Sequence, residues 1–286
     1  MPLFGAHMSI SGGLDQALIR GKKAGCQVIQ IFTGNTSRWV TNKLQPARIC
    51  SFNKARTDTS VEPVAAHAGY LINLASARSE IRDKSFSALL GEIERAEALK
   101  IPYLVMHPGA HLGDGEEPGL RRISSALKRL LNKTPGFRLK ILLETTAGQG
   151  SNLGYRFEHL AEILKRSDAK ERMGICLDTC HIFAAGYDFR TKKTYNKLIK
   201  SFDDIIGLSY LKLLHINDSK KELNSRIDRH EHLGYGLIGK KGLSFFVNDP
   251  ILKDLPFVIE TPKGKNKEGI DWDISNLRFL RGLIWP

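Results

Sequence analysis

The chain has 286 residues, 42% of them hydrophobic and 26% charged, and its 43 lysines and arginines against 30 aspartates and glutamates give a formal charge of +13. Such apolar content excludes a disordered chain and suffices for a sizeable core, and the length suits one α/β barrel of about 250 residues, so a single domain over 1–286 is expected. No apolar run approaches the roughly 20 residues of a membrane helix, and the opening MPLFGAHMSISGG lacks the charged-then-apolar plan of a secretion signal, which predicts a cytoplasmic protein with no membrane partner.

Along the chain, short β-rich runs alternate with longer amphipathic stretches. Eight apolar runs lie around 2–7, 27–33, 63–67, 102–107, 138–144, 172–178, 210–216 and 256–260. Between them, Ser79 to Lys100 carries Ile81, Phe86, Leu89, Leu90, Ile93, Ala96 and Leu99 at helical spacing, and Phe157 to Leu164 and Ser275 to Leu283 read the same way. Continuous apolar strands separated by helices imply parallel pairing with right-handed crossovers. A closed (β/α)8 TIM barrel is the economical solution. An open doubly wound sheet shares the alternation but would bind ligands where strand order reverses. Cys26, Cys50, Cys176 and Cys180 form no CxxC pair and are read as free thiols.

The strands from the third onward each end in a residue type that binds metals: His67, His107, Glu144, Asp178, His215 and Glu260. In a parallel barrel the carboxyl ends share one rim, so these distant residues converge. Singly, a histidine closing a strand is more often a hydrogen-bonded core residue. Together, uncompensated imidazoles and carboxylates at one rim would carry desolvation and like-charge costs that bound cations remove.

Two local pairs extend the set. Asp178 and His181 share one side of a helical turn, and Asp228 and His230 share one side of an extended segment. The total of five histidines and four carboxylates exceeds what one ion can use, so two or three metals are expected. Donors of this kind without thiolate favour zinc and are compatible with manganese or iron. Cys180 is read as a packed thiol and His7 as a residue that supports the ligands or touches substrate, while His111, His159 and His232 are given surface or packing roles. GQGSNLG lacks GxGxxG spacing and a following Lys-Ser/Thr, and is read as a turn. Basic rim residues Arg38, Lys220, Lys221, Arg226 and Arg229 are candidates to hold phosphates.

At HAGYLINLAS (67–76), HPGAH (107–111), TAGQGSNLGYRFEHL (146–160), LDTCHIFAAGYD (177–188), HINDSK (215–220) and SRIDRHEHLGYGLIG (225–239), the sequence resembles the endonuclease IV family. The resemblance runs over almost the whole chain. It implies a TIM barrel with three zinc ions acting on duplex DNA with abasic sites. The expected reaction is hydrolysis 5′ to the abasic sugar, leaving a 3′-hydroxyl and a 5′-deoxyribose phosphate, with 3′-end trimming or 3′–5′ exonuclease activity in some members. By motif, His67 and His107 would bind one zinc and Glu144 would join it to a second, held also by Asp178, His215 and Glu260. His181, Asp228 and His230 would bind the third. Glu144 and Glu260 are the catalytic candidates, linking the ions beside the attacking water and orienting that water. Tyr70 corresponds to a residue that enters the DNA.

The chain departs from the family pattern where Ser37, Arg38 and Trp39 replace Arg-Gln-Trp, and where Glu144, Thr145 and Thr146 replace Glu-Asn-Thr. Arg38 is the candidate to replace the missing arginine, and a monomer is expected. Two rival readings are a metal-dependent sugar isomerase or epimerase of the same barrel and a non-catalytic zinc protein that binds damaged DNA.

Overall fold

The computed structural model describes residues 2–39, 42–168 and 170–285, with Lys170 described by its backbone only. The strands are β1 (Leu3–Met8), β2 (Val28–Phe32), β3 (Glu62–His67), β4 (Tyr103–Met106), β5 (Lys140–Glu144), β6 (Met173–Asp178), β7 (Leu211–His215), the two-residue β8 (Asp218–Ser219) and β9 (His230–Glu231), and β10 (Pro256–Ile259). The helices are α1 (Leu14–Ala24), α2 (Pro46–Thr59), α3 (Ser79–Ala98), α4 (Glu116–Lys133), α5 (Phe157–Ser167), α6 (Thr179–Ala184), α7 (Lys192–Ile205), α8 (Gly239–Val247) and α9 (Trp272–Arg281). The eight longer strands close into a parallel barrel in the order β1-β10-β7-β6-β5-β4-β3-β2, whereas β8 and β9 pair antiparallel outside it. Closure excludes the open sheet, and each of the eight apolar runs supplies one barrel strand.

The apolar runs bury both faces of each strand, and the alternation of side chains assigns the residues to two cores. Phe4, Ile29, Ala66, Leu104, Ile141, Ile175, Leu214 and Phe257 belong to the large cluster that includes buried residues of the surrounding helices. Val28, Ala65, Val105, Leu142, Cys176, Leu213 and Val258 form a separate cluster, one from each of seven strands. The remaining strand contributes Gly5, where a Cβ would overlap the Val28 carbonyl, so only glycine admits this approach of β1 to β2.

One pleat further along each strand the residue type changes from apolar to polar. Adding two to Gly5, Val28, Ala65, Val105, Leu142, Cys176, Leu213 and Val258 gives His7, Gln30, His67, His107, Glu144, Asp178, His215 and Glu260. Each strand thus places one polar residue above the dry interior layer.

Helix boundaries follow local chemistry. Helix α3 stops at Ala98, and Lys100 lies beyond it with φ of +55°. Helix α9 starts three residues before the expected Ser275 because the Asp271 carboxylate accepts from Asp273 N at 2.8 Å, and it ends at Arg281 rather than Leu283. All four cysteines are free.

Candidate metal centre

The rim is built from donor atoms that face one another. His67 Nε2 lies 3.0 Å and His107 Nε2 3.1 Å from Glu144 Oε2. His215 Nδ1 lies 2.9 Å from Glu144 Oε1 and 3.1 Å from Glu260 Oε2. His181 Nε2 lies 3.0 Å from Asp228 Oδ2, while His230 Nε2 stands 3.4 Å from Asp228 Oδ1 and 3.6 Å from Asp178 Oδ2. The nine residues expected from strand ends and spacing are therefore brought together.

The short helix α6 accounts for one junction. Asp178 closes β6 and caps α6 by accepting from His181 N at 2.8 Å, so the strand-to-helix turn sets the spacing of the two side chains. Asp228 precedes β9, whose pairing with β8 holds His230 in the extended segment expected for the pair.

Hydrogen bonds to main-chain carbonyls fix which nitrogen is free in three of the rings. Nδ1 of His67 donates to Ala68 O at 2.8 Å, Nδ1 of His181 to Thr145 O at 2.7 Å, and Nδ1 of His230 to Glu260 O at 3.1 Å. Carbonyls only accept, so each neutral ring directs its Nε2 lone pair at carboxylates that also only accept. Two ligands, each about 2.0–2.1 Å from a tetrahedral zinc, stand roughly 3.3 Å apart. The separations and donor set of this rim therefore fit shared cations. Four groups of donor atoms converge closely enough to hold an ion: His67, His107 and Glu144; Glu144, Asp178, His215 and Glu260; Asp178, His181 and His230; and Cys180, Asp228 and His230.

The electrostatics have the same origin. Burial disfavours ionised Glu144, but the imidazoles of His215 and His107 outweigh it and hold the carboxyl well below its ordinary range. Burial likewise opposes ionised Glu260, and His215 overrides it. Burial would lower His181, yet Asp178 and Asp228 carry it well above 6.5, and His215 is raised by its own surroundings despite burial. Burial pushes the Cys180 thiol up to about 12 and its Sγ lies 3.6 Å from Arg229 O, so it is a packed thiol although near Asp228 and His230.

Three polar residues that strand-end reasoning missed support the donors. Fully buried Asn217 donates to Asp178 Oδ2 at 2.7 Å and accepts from Glu260 N at 2.8 Å. The Thr145 hydroxyl, next to Glu144, accepts from Asp178 N at 2.9 Å. Gln30 occupies the rim position of β2 and contacts both His215 and Glu260. The two-residue step from Val28 would have identified it.

His7 lies beside the donors, its Nδ1 3.2 Å from Glu260 Oε1 and 3.0 Å from Gln30 Nε2. It also lines an open cavity of about 1270 Å³ shared with Asn35, Arg38, Lys43, Arg48 and Lys263. His111 accepts from Gly115 N, His159 contacts Glu116 and Arg156, and His232 stacks on Trp272 at 3.6 Å, all packing roles.

Tyr70 is 74% exposed, its ring 5.4 Å from Phe32 and 6.5 Å from His67, and Leu71, Leu112, Ile227, Tyr235 and Leu237 are also exposed. Arg38, Lys220 and Arg229 are exposed. The Arg226 guanidinium instead lies 3.9 Å above the Tyr155 ring.

Barrel closure and the polar ring at the carboxyl ends of its strands define a TIM-barrel protein with a candidate multi-metal centre. A family described as xylose isomerase-like TIM barrel matches residues 19–281. "Probable endonuclease 4" of Chloroflexus aurantiacus is 49% identical over 99% of both chains, and that of Geotalea daltonii is 51% identical over 98% of this chain and 97% of its own. The crystal structure of endonuclease IV from Thermus thermophilus superposes with a TM-score of 0.84 at 34% identity, covering 99% of this chain and 98% of that one. The chain belongs to the endonuclease IV family. A D-tagatose 3-epimerase-like protein has a TM-score of 0.74 at 21% identity, which reflects the shared fold.

Proposed function

We propose that this protein is a zinc-dependent DNA repair endonuclease that cuts duplex DNA 5′ to abasic sites and leaves a 3′-hydroxyl and a 5′-deoxyribose phosphate. The reading extends to base excision repair, trimming of blocked 3′ ends or 3′–5′ exonuclease activity, and a monomer acting in the cytoplasm. Its main support is the nine-donor rim in a chain about half identical to endonuclease 4 proteins over nearly its full length. No described helix is long and apolar enough to cross a membrane.

His67, His107 and Glu144 would hold one zinc, Glu144, Asp178, His215 and Glu260 a second, and His181, Asp228 and His230 a third, with manganese or iron compatible at one site. When bound, these ions supply Lewis acidity and positive charge for phosphodiester hydrolysis. The backbone carbonyls bonded to His67, His181 and His230 hold the rings in their ligand-bearing tautomers. Glu144 joins two donor groups, and Glu260, whose backbone N–H donates to Asn217, would orient the attacking water. Tyr70 stands where it could fill the stack left by a missing base, and Arg38, Lys220, Arg226 and Arg229 would engage backbone phosphates.

A sugar isomerase needs neither the Asp228–His230 donor pair nor a net charge of +13. A structural zinc site would be closed by four ligands, whereas this one shares carboxylates between donor groups. Purified protein incubated with end-labelled duplexes, intact or bearing a tetrahydrofuran abasic analogue, tests the assignment. Zinc-dependent nicking of the lesion strand, with a 3′ end that a polymerase extends, is expected. A zinc-loaded protein that leaves the lesion uncut, or makes ketose from aldose instead, overturns it.

A further inference from the structure

Gln30 is a fully buried rim residue whose amide can be oriented only one way. Its nitrogen lies 2.6 Å from Glu260 Oε1, which only accepts, so Gln30 Oε1 is the atom 2.9 Å from His215 Nε2. His215 must donate there, and its lone pair then belongs to Nδ1, which faces Glu144 and Glu260. His67, His181 and His230 have the opposite arrangement, with Nδ1 holding the proton. Among the described residues no main-chain carbonyl hydrogen-bonds a ring nitrogen of His215; Gln30 fills that role.

The second amide hydrogen of Gln30 reaches His7 Nδ1 at 3.0 Å. His7 Nδ1 also faces Glu260 Oε1 at 3.2 Å, so the amide hydrogen and the carboxylate compete for it. Where the amide takes the Nδ1 lone pair, the His7 proton lies on Nε2, a buried atom without a hydrogen-bond partner. One amide therefore meets three neighbours, accepting from His215 and donating to Glu260 and His7.

From these contacts we infer that Gln30 is a positioning residue that presents His215 through Nδ1, turns Glu260 Oε2 toward the metal rim, and keeps the His7 proton on Nε2. The inference rests on the metal-centre reading and assigns Gln30 no contact with substrate. A merely space-filling glutamine would be replaced by methionine without moving a proton. The positioning role separates by atom, because Gln30→Glu retains an acceptor for His215 but has no hydrogen for Glu260 or His7.

The test measures zinc affinity by competition with a chelating indicator, and imidazole nitrogen shifts by NMR, in wild type, Gln30→Met and Gln30→Glu. Gln30→Met, which keeps the volume, should bind zinc about 10–100-fold more weakly at one site and show His7 protonated on Nδ1. Gln30→Glu should retain the His215 tautomer and lose that of His7. A Gln30→Met protein with wild-type zinc affinity and unchanged proton positions overturns the inference. If wild type binds no zinc, the metal reading fails, and the ring-proton positions in the variants still decide the role of Gln30.

Discussion

Nε2 of His181 and Nε2 of His230 stand 3.4 Å apart, although both rings have already donated Nδ1–H to main-chain carbonyls. Two neutral rings in this arrangement oppose lone pair to lone pair, so the pair needs a cation or a proton between its members. In metal-free protein, protons fill this role. His181 and His215, raised above 6.5, contribute stability that is complete below 6.5 and lost as pH rises through their raised values. Glu144 and Glu260, lowered from 4.5, contribute stability present above 4.5 and lost as pH falls through their lowered values. Chelated protein should therefore be most stable between these limits and lose urea resistance on the alkaline side, while zinc-loaded protein keeps it. Zinc addition at neutral pH should release protons, measurable by calorimetry in buffers of different ionisation enthalpy. No proton release and parallel urea profiles would contradict this account.

Glu144 contacts four of the five rim imidazoles, those of His67, His107, His181 and His215. Gln has the same shape but removes the charge that balances two donor groups. Glu144→Gln should lower nicking at least about 100-fold, since even outer partners of metal ligands are worth 10–100-fold. Duplex binding should change only a few-fold. Gel-based incision and fluorescence anisotropy measure the two separately, and equal nicking by the variant would remove Glu144 from the reaction.

The barrel was legible because each apolar run is a strand and the polar residue that ends it is conspicuous. His67, Glu144, Asp178 and His215 close their strands, while His107 and Glu260 follow theirs by one residue. The Asp178–His181 turn and the Asp228–His230 segment were legible because the relevant spacing is local. Gln30 escaped notice because its amide is neither acid, base nor common ligand, and its partners His215 and Glu260 are 185 and 230 residues away in sequence. Asn217 was missed for the same reason. The engagement of Arg226 by Tyr155 depends on loop packing, which residue spacing does not encode.

Asp218 is wholly buried and accepts from the backbone nitrogens of Ser219, Gly234, Gly236, Ile238 and Gly239. The loop that presents exposed Tyr235 is thereby wrapped around one carboxylate. Asp218→Ala leaves those N–H groups without their acceptor and should cost on the order of 3 kcal/mol in urea unfolding. Asp218→Asn, which retains one acceptor oxygen, should lose less. Equal stability of wild type and Asp218→Ala would show that the loop is held by other contacts.

Tyr70 projects from the loop after β3 with most of its ring in solvent, and Phe32 supports it edge-on. An exposed ring adds little to folding, but stacking on a base is worth about 1–3 kcal/mol. Tyr70→Ala should leave the urea midpoint nearly unchanged and weaken binding to abasic duplex roughly 5–150-fold. Tyr70→Trp should restore binding. An alanine variant that binds lesion DNA like wild type would confine Tyr70 to covering the rim.

Arg226 has a left-handed backbone, φ +55°, and its N–H donates to Ala184 O at 3.0 Å. Its guanidinium lies over Tyr155, whose hydroxyl donates to Glu116 at 2.6 Å. Stacking on that anchored ring limits where the charge can go and leaves the edge of the guanidinium for a phosphate. Gly148 completes the seat, since at φ +74° any Cβ there would press on both Arg226 and Tyr155. Arg226→Ala should weaken binding by a similar factor on every DNA sequence and reduce the slope of log affinity against log salt by about 1. Gly148→Ala should move the slope in the same direction by displacing the guanidinium. If titrations from low to physiological salt return the wild-type slope for Arg226→Ala, the stacked arginine serves packing, and phosphate contact belongs to the exposed Arg38, Lys220 and Arg229.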